Sequence, residues 1–130
     1  MIKLVFSLRR REGMSRDEFQ TYWREQHAPL VASHAKTLRI RRYVQTHARS
    51  SELAAAQAAA RSSQPDFYDG EAELWWESLE DILAAVSSEE GQQAALELLE
   101  DERRFIDLEN SPIWIGEELE VVSAGWESGA

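Results

Sequence analysis

With 130 residues, no cysteine and a formal net charge of −10, the chain has the length of one domain and no disulfide, thiolate metal site or cysteine nucleophile. Its charge is of the wrong sign for gripping nucleic-acid phosphates, and no segment nears the roughly 20 apolar residues of a membrane span. The short apolar N-terminal run is followed, not preceded, by Arg9, Arg10 and Arg11, the reverse of a secretory signal, so a cytoplasmic protein without nucleic-acid or membrane partners is expected.

Ile2, Leu4, Phe6 and Leu8 alternate with Lys3, Val5, Ser7 and Arg9, the period of a strand with one apolar face. Ser15 and Glu18 form a capping box that opens a helix from Arg16 to about His27. Pro29 lacks an N–H and disfavours helical angles at Ala28, so the helix is expected to break or kink just after His27. A second strand spans about Arg39 to His47, with Ile40, Arg42, Val44 and Thr46 on one face and Arg41, Tyr43, Gln45 and His47 on the other. Residues 50–66 read as an alanine-rich insertion, helical but weakly anchored. A third strand, Gly70 to Glu77, sets Ala72, Leu74 and Trp76 against Glu71, Glu73, Trp75 and Glu77. Ser78 caps a helix bearing Leu79, Ile82, Leu83 and Val86, a further helix spans about Glu89 to Arg103, and a fourth strand runs from Trp114 to Val122. Residues 1–123 thus form one domain, with 124–130 a flexible tail.

The order β-α-β-β-α-β is that of an α+β, ferredoxin-like domain: a four-stranded antiparallel sheet with helices on one face. The other face, given Val5, Tyr43, Trp75 and Trp114, is too apolar to be left wet. Pairing with a second copy would cover it and make a dimeric α/β barrel. Residues 1–50 hold 11 Lys/Arg and 4 Asp/Glu, and residues 51–130 hold 3 and 20, so the halves attract within a subunit or between subunits.

The segments Tyr22-Trp-Arg-Glu-Gln-His-Ala-Pro-Leu30, Phe67-Tyr-Asp-Gly-Glu-Ala-Glu-Leu-Trp-Trp-Glu-Ser-Leu-Glu-Asp-Ile82 and Phe105-Ile-Asp-Leu-Glu-Asn-Ser111 resemble those of the EthD family of dimeric α/β-barrel proteins. The resemblance implies a homodimer with a pocket between the sheet and the first helix. Related barrels include muconolactone-type isomerases, polyketide cyclases, decarboxylases, quinone-forming monooxygenases and haem-degrading enzymes. From the muconolactone-type relatives it implies an active-site role for His27, with Glu73 a second candidate.

A neutral imidazole at His27 can take a proton from carbon beside a carbonyl; read structurally, it complements the dipole at a helix end. Glu73 is an acid, a relay or an orienter of His27, or else one half of an ion pair across the dimer. Tyr43 and Arg41 are candidates for holding an oxyanion, or are interface residues. Phe6, Tyr22, Trp23 and Trp75 offer flat walls for a small aromatic ligand, while Trp76 reads as core and His47 as solvated. No dinucleotide, Walker, serine-hydrolase or zincin motif occurs, and the histidines lack metal-ligand spacing. A cofactor-independent and metal-free isomerase, lyase or cyclase is the expected activity, acting on a small aromatic, lactone or polyketide-like carbonyl compound. The alternatives are a non-catalytic ligand-binding or stress-related barrel, and a quinol or haem monooxygenase of the same fold.

Overall fold

The fold is taken from a computed structural model that describes residues 1–64 and 67–126. Its elements are β1 (Ile2–Leu8), α1 (Arg16–Tyr22), a π-helical turn (Trp23–His27), α2 (Ala28–His34), β2 (Arg42–His47), α3 (Glu52–Ala60), β3 (Gly70–Trp76), α4 (Leu79–Ser87), α5 (Glu89–Glu102), a 3-10 turn (Leu108–Asn110) and β4 (Ile113–Glu117). The strands form one sheet in the order β2-β3-β1-β4, and each adjacent pair is antiparallel. This is the ferredoxin-like, α+β arrangement. Parts of the expected insertion and tail, residues 65–66 and 127–130, lie outside the described residues.

Strand register decides which side chains meet the helices. Phe6 lies opposite Ala72 and Tyr43 opposite Leu74, so alternation brings Phe6, Leu8, Ala72, Leu74 and Tyr43 to one face. There they pack around a buried cluster of Leu8, Phe19, Trp23, Ala72, Phe105 and Ile106. Val5 lies opposite both Glu73 and Trp114, Lys3 opposite Trp75, and Arg42 opposite Trp75. These residues occupy the other face. Tyr43 therefore leaves the set expected on the face away from the helices and packs against the core instead. Val5 and Trp75 are buried within a single chain: Arg42 and Lys3 lie over the Trp75 ring at 4.5 and 5.3 Å, and its Nε1–H donates to Glu118 Oε1 at 2.6 Å.

The capping box forms as read: Ser15 Oγ accepts from Glu18 N at 3.0 Å, and Glu18 Oε1 accepts from Ser15 N at 3.1 Å. The break after His27 does not occur. Trp23, His27 and Ala28 all keep right-handed helical angles, and Ala28 N–H reaches back to Trp23 O. This wide turn, one residue longer than an α-turn, takes up the carbonyl displacement that a proline ring would otherwise force, and Pro29 sits at the start of α2 where its missing donor is tolerated. Chain direction changes later. Ile40 N–H donates to Ala35 O at 2.8 Å and Arg39 N–H to Lys36 O at 3.2 Å, a Schellman pair with Arg39 at φ 61° in the left-handed position. β2 therefore starts at Arg42 instead of Arg39.

The loop into β3 is fixed by Asp69, which is fully buried. Its carboxylate accepts from Arg10 N at 2.8 Å, Arg10 Nη1 at 2.7 Å and Arg16 Nε at 2.9 Å. Gly70 follows because a Cβ there would strike the Trp23 indole and Thr46 O. On α4 the inward residue is Ala85, while Leu79, Leu83 and Val86 point outward, contrary to the stripe expected. β4 is also shorter than expected, and Leu119, Val121 and Val122 beyond it are exposed. α3 buries none of its residues.

Candidate active site

The π turn brings His27 under the last turn of α5. The imidazole is buried, 5% exposed, with its centroid 5.0 Å from the Phe105 ring. Its Nδ1 lies 2.7 Å from Asp101 Oδ2. Tyr22 O–H donates to Asp101 Oδ1 at 2.5 Å, and Arg104 Nη1 donates to the same oxygen at 3.0 Å. Burial works against the Asp101 charge, yet the bonds from Tyr22, His27 and Arg104 outweigh it and hold the carboxyl below its ordinary range. On His27 the balance is reversed: desolvation pushes the imidazole down, and Asp101 only partly restores it. The ring is therefore neutral at pH 7, with the proton assigned to Nδ1 by its acceptor and a free lone pair on Nε2.

Nε2 faces Glu102, whose Oε2 is 3.9 Å away. Burial, then the charge of Asp101, raise the Glu102 carboxyl to about 7. Tyr43 stands on the same side, its hydroxyl raised by burial, lowered by its hydrogen-bonding neighbours Gln45 and Trp23, and raised by Glu102. Gln45 Nε2 donates to Tyr43 Oη at 2.8 Å and to Trp23 O at 3.1 Å, and Gln45 Oε1 is 2.8 Å from His47 Nε2. His47, expected to be solvated, is half-buried. Its ring lies 4.5 Å from that of Trp23, and burial, with Arg24 and Arg49 nearby, lowers its pKa.

Of the residues singled out from sequence, His27, Tyr22, Trp23, Tyr43 and Phe6 meet on the helix side of the sheet. Glu73 and Trp75 do not. The sheet stands between them and His27, and Glu73 is paired with Lys3, so Asp101 holds the imidazole where Glu73 was expected to. Arg41 falls before β2 and its side chain, 61% exposed, lies 4.0 Å from Glu77, away from the cluster. Sequence reasoning gave no site role to Asp101, Glu102 or Gln45. One signal was available: Gly91, Ala94, Leu98, Asp101 and Phe105 recur at helical spacing, which sets a carboxylate in an otherwise apolar stripe. A surface groove of about 720 Å³ lies between α2 and α5, lined by His34, Thr37, Gln93, Leu96 and Glu97 among others, and includes neither His27 nor Asp101. Among the described residues no three His, Asp or Glu side chains converge as metal ligands, and no helix is long and apolar enough to cross a membrane.

Among curated proteins no match reaches significance. Solved structures do match. An EthD family protein of Bacillus halodurans C-125 superposes with a TM-score of 0.62 at 20% identity, covering 92% of this chain and 99% of that one. A dimeric protein of ferredoxin-like fold from Bacteroides fragilis NCTC 9343 gives 0.56 at 11% identity, over 90% and 95% of the two chains. A hydroxynitrile lyase from Passiflora edulis gives 0.53 at 12%, over 92% and 95%. At these identities the likeness is one of fold. The EthD domain pattern itself matches residues 11–109, from the loop after β1 into the 3-10 turn that precedes β4, and the chain belongs to the EthD family.

Proposed function

We propose that this chain is a cofactor-independent acid/base enzyme of isomerase, lyase or cyclase type, acting on a small aromatic, lactone or polyketide-like carbonyl compound, with His27 as the base. The observation that carries the reading is the buried His27 Nδ1 to Asp101 Oδ2 contact of 2.7 Å, which leaves Nε2 as the basic atom. A neutral imidazole whose second nitrogen donates to an ionised carboxylate is fixed in tautomer and orientation, and the imidazolium formed on proton uptake is stabilised by the adjacent charge. Trp23, Tyr22 and Phe105 form the aromatic surroundings in which such a base meets an apolar substrate.

The test uses exchange of the α-protons of 2-tetralone in D2O, followed by proton NMR. His27→Ala, checked for native folding by its amide spectrum, is expected to lower the protein-catalysed rate by at least about 100-fold. Exchange equal to that of the unaltered protein would remove His27 from the chemistry. The close packing of Phe19, Trp23 and Phe105 favours a second reading, a non-catalytic ligand-binding dimer, which predicts ligand binding without exchange.

A homodimer is part of the proposal. Ile113, Trp114 and Ile115 are 56%, 54% and 47% exposed along β4, which has no strand on its outer edge among the described residues, and such an edge invites pairing. The Bacteroides fragilis match is described as dimeric. Light scattering at micromolar concentration should give twice the 14.9 kDa of one chain; a dispersed monomer would refute the pairing.

A further inference from the structure

We infer that Glu102 is the acid that works opposite His27, binding and protonating the carbonyl oxygen whose neighbouring carbon gives its proton to the imidazole. The inference rests on the reading of His27 as base and narrows the substrate to a ketone, ester or lactone with a C–H bond directly beside the carbonyl. It begins from two consecutive carboxylates that share one imidazole and are treated oppositely. Asp101 lies against Nδ1 and receives hydrogen bonds from Tyr22 and Arg104. Glu102 lies against Nε2, and among the described residues that imidazole is the one basic side chain within 4 Å of its carboxyl.

The groups facing Glu102 are the His27 ring from the π turn, the Tyr43 hydroxyl from β2 and the Asp101 carboxylate on its own helix. None is a fixed cation. Its position in the last turn of α5 adds the negative end of the helix dipole. A carboxyl so placed keeps its proton, consistent with its rise to about 7 through burial and then Asp101. Neighbouring acids driven apart in this way divide into a charged orienter and a neutral donor.

Distance supports the pairing as well. The 3.9 Å between Nε2 and Oε2 exceeds a hydrogen bond. That span matches in length what a carbonyl and its α-carbon require: roughly 3 Å from nitrogen to the carbon under attack, about 2.4 Å from that carbon to the carbonyl oxygen, and about 2.7 Å from oxygen to the carboxyl oxygen close on it as the other three sides of a quadrilateral. In the step, His27 Nε2 takes the α-proton and the C–H electron pair becomes the C=C bond. The carbonyl π pair moves onto oxygen, which receives the Glu102 proton. The products are an enol, an imidazolium and a carboxylate. Where the carbonyl compound is β,γ-unsaturated the enol is a dienol, and return of the imidazolium proton to its γ-carbon, with recovery of the hydroxyl proton by Glu102, completes an isomerisation and restores both groups.

Two measurements test the inference on the whole protein. The first is carbon NMR of glutamate-carboxyl-labelled protein, with the Glu102 signal identified by its loss in Glu102→Gln; it should titrate near neutral pH, and a carboxyl ionised throughout pH 5 to 8 overturns the inference without reference to any substrate. The second is 2-tetralone exchange by Glu102→Gln and Glu102→Asp. The Gln variant should lose about 100-fold in rate and with it the fall in rate above pH 7, whereas the Asp variant should retain that fall and part of the rate. If Glu102→Gln exchanges at the unaltered rate while His27→Ala does not, Glu102 is excluded and the His27 reading stands. If the unaltered protein exchanges no faster than buffer, the His27 reading fails and takes the inference with it.

Discussion

Replacing Glu102 by Gln should make the folded protein more stable in alkali, an unusual sign for loss of a charge. The side chain is 20% exposed, and its carboxyl is raised from its ordinary 4.5 to about 7. Because the folded state holds the proton more tightly, this group's stabilising contribution is complete below pH 4.5 and is lost as pH rises through 7. Two-state linkage with those values gives a loss of about 0.8 kcal/mol at pH 5 and about 3.4 kcal/mol at pH 9, so the two conditions differ by about 2.5 kcal/mol. Glutamine has nearly the same shape and no charge to bury. All other titrating groups are common to the two proteins and largely cancel in the comparison. Urea denaturation of both at pH 5 and pH 9 should therefore show Glu102→Gln gaining about 2.5 kcal/mol relative to the unaltered chain between the two pH values, a shift in midpoint of ~1 M or more. An equal difference at both pH values would mean that Glu102 ionises freely in the folded protein, and the reasoning about its burial would be wrong.

Other outcomes follow from the same contacts. Asp69→Asn removes the charge that receives three hydrogen bonds from Arg10 and Arg16; because both arginines are partly exposed, the loss should lie near the low end for a buried pair, about 3 kcal/mol by urea denaturation at pH 7. Asp69 is held below its ordinary range, so its contribution is present above pH 3.8 and lost as pH falls through the folded value; the variant should show a flatter acid limb. Tyr22→Phe deletes the donor to Asp101 Oδ1 and should cost about 1–2 kcal/mol at pH 7. Since Asp101 is also held low, that cost should shrink below pH 3.8, as unfolding curves at pH 7 and pH 3 would reveal. Gly91→Ala drives a methyl into Ala85 O at the turn between α4 and α5, and thermal unfolding should show a loss of about 3 kcal/mol.

Local features were legible in the sequence, and long-range ones were not. The Ser15–Glu18 box involves residues three apart and forms as its pattern requires. Strand alternation likewise separated Tyr43 from Val44, and Leu74 from Glu73. What alternation within one strand cannot supply is parity between strands. Chemical character alone groups Tyr43 with Trp75, whereas the β2–β3 register sets it opposite Leu74. A shift of one residue would have made the grouping correct, because each step exchanges the two faces. Asp69 and Arg10 stand 59 residues apart, and nothing in either neighbourhood names the other.

The histidine itself illustrates why a local rule can find the right residue for the wrong reason. Pro29 marked His27 as a helix end, whereas the chain keeps its helical path and absorbs the proline through the wide turn at Trp23–His27. One extra residue in that turn offsets the angular position of side chains after it relative to those of α1. Phe19 and Trp23 already face the core from α1 and its end, and the turn adds His27, four residues beyond Trp23, beside Phe105. Phe105 also touches Phe19 and Tyr22, at centroid distances of 5.4 and 5.0 Å, so one ring seats both the base and the tyrosine that anchors Asp101. Substituting Phe105 would disturb the imidazole and its carboxylate together. The geometry at Nε2 consequently depends on apolar packing as much as on the polar groups that perform the proposed chemistry.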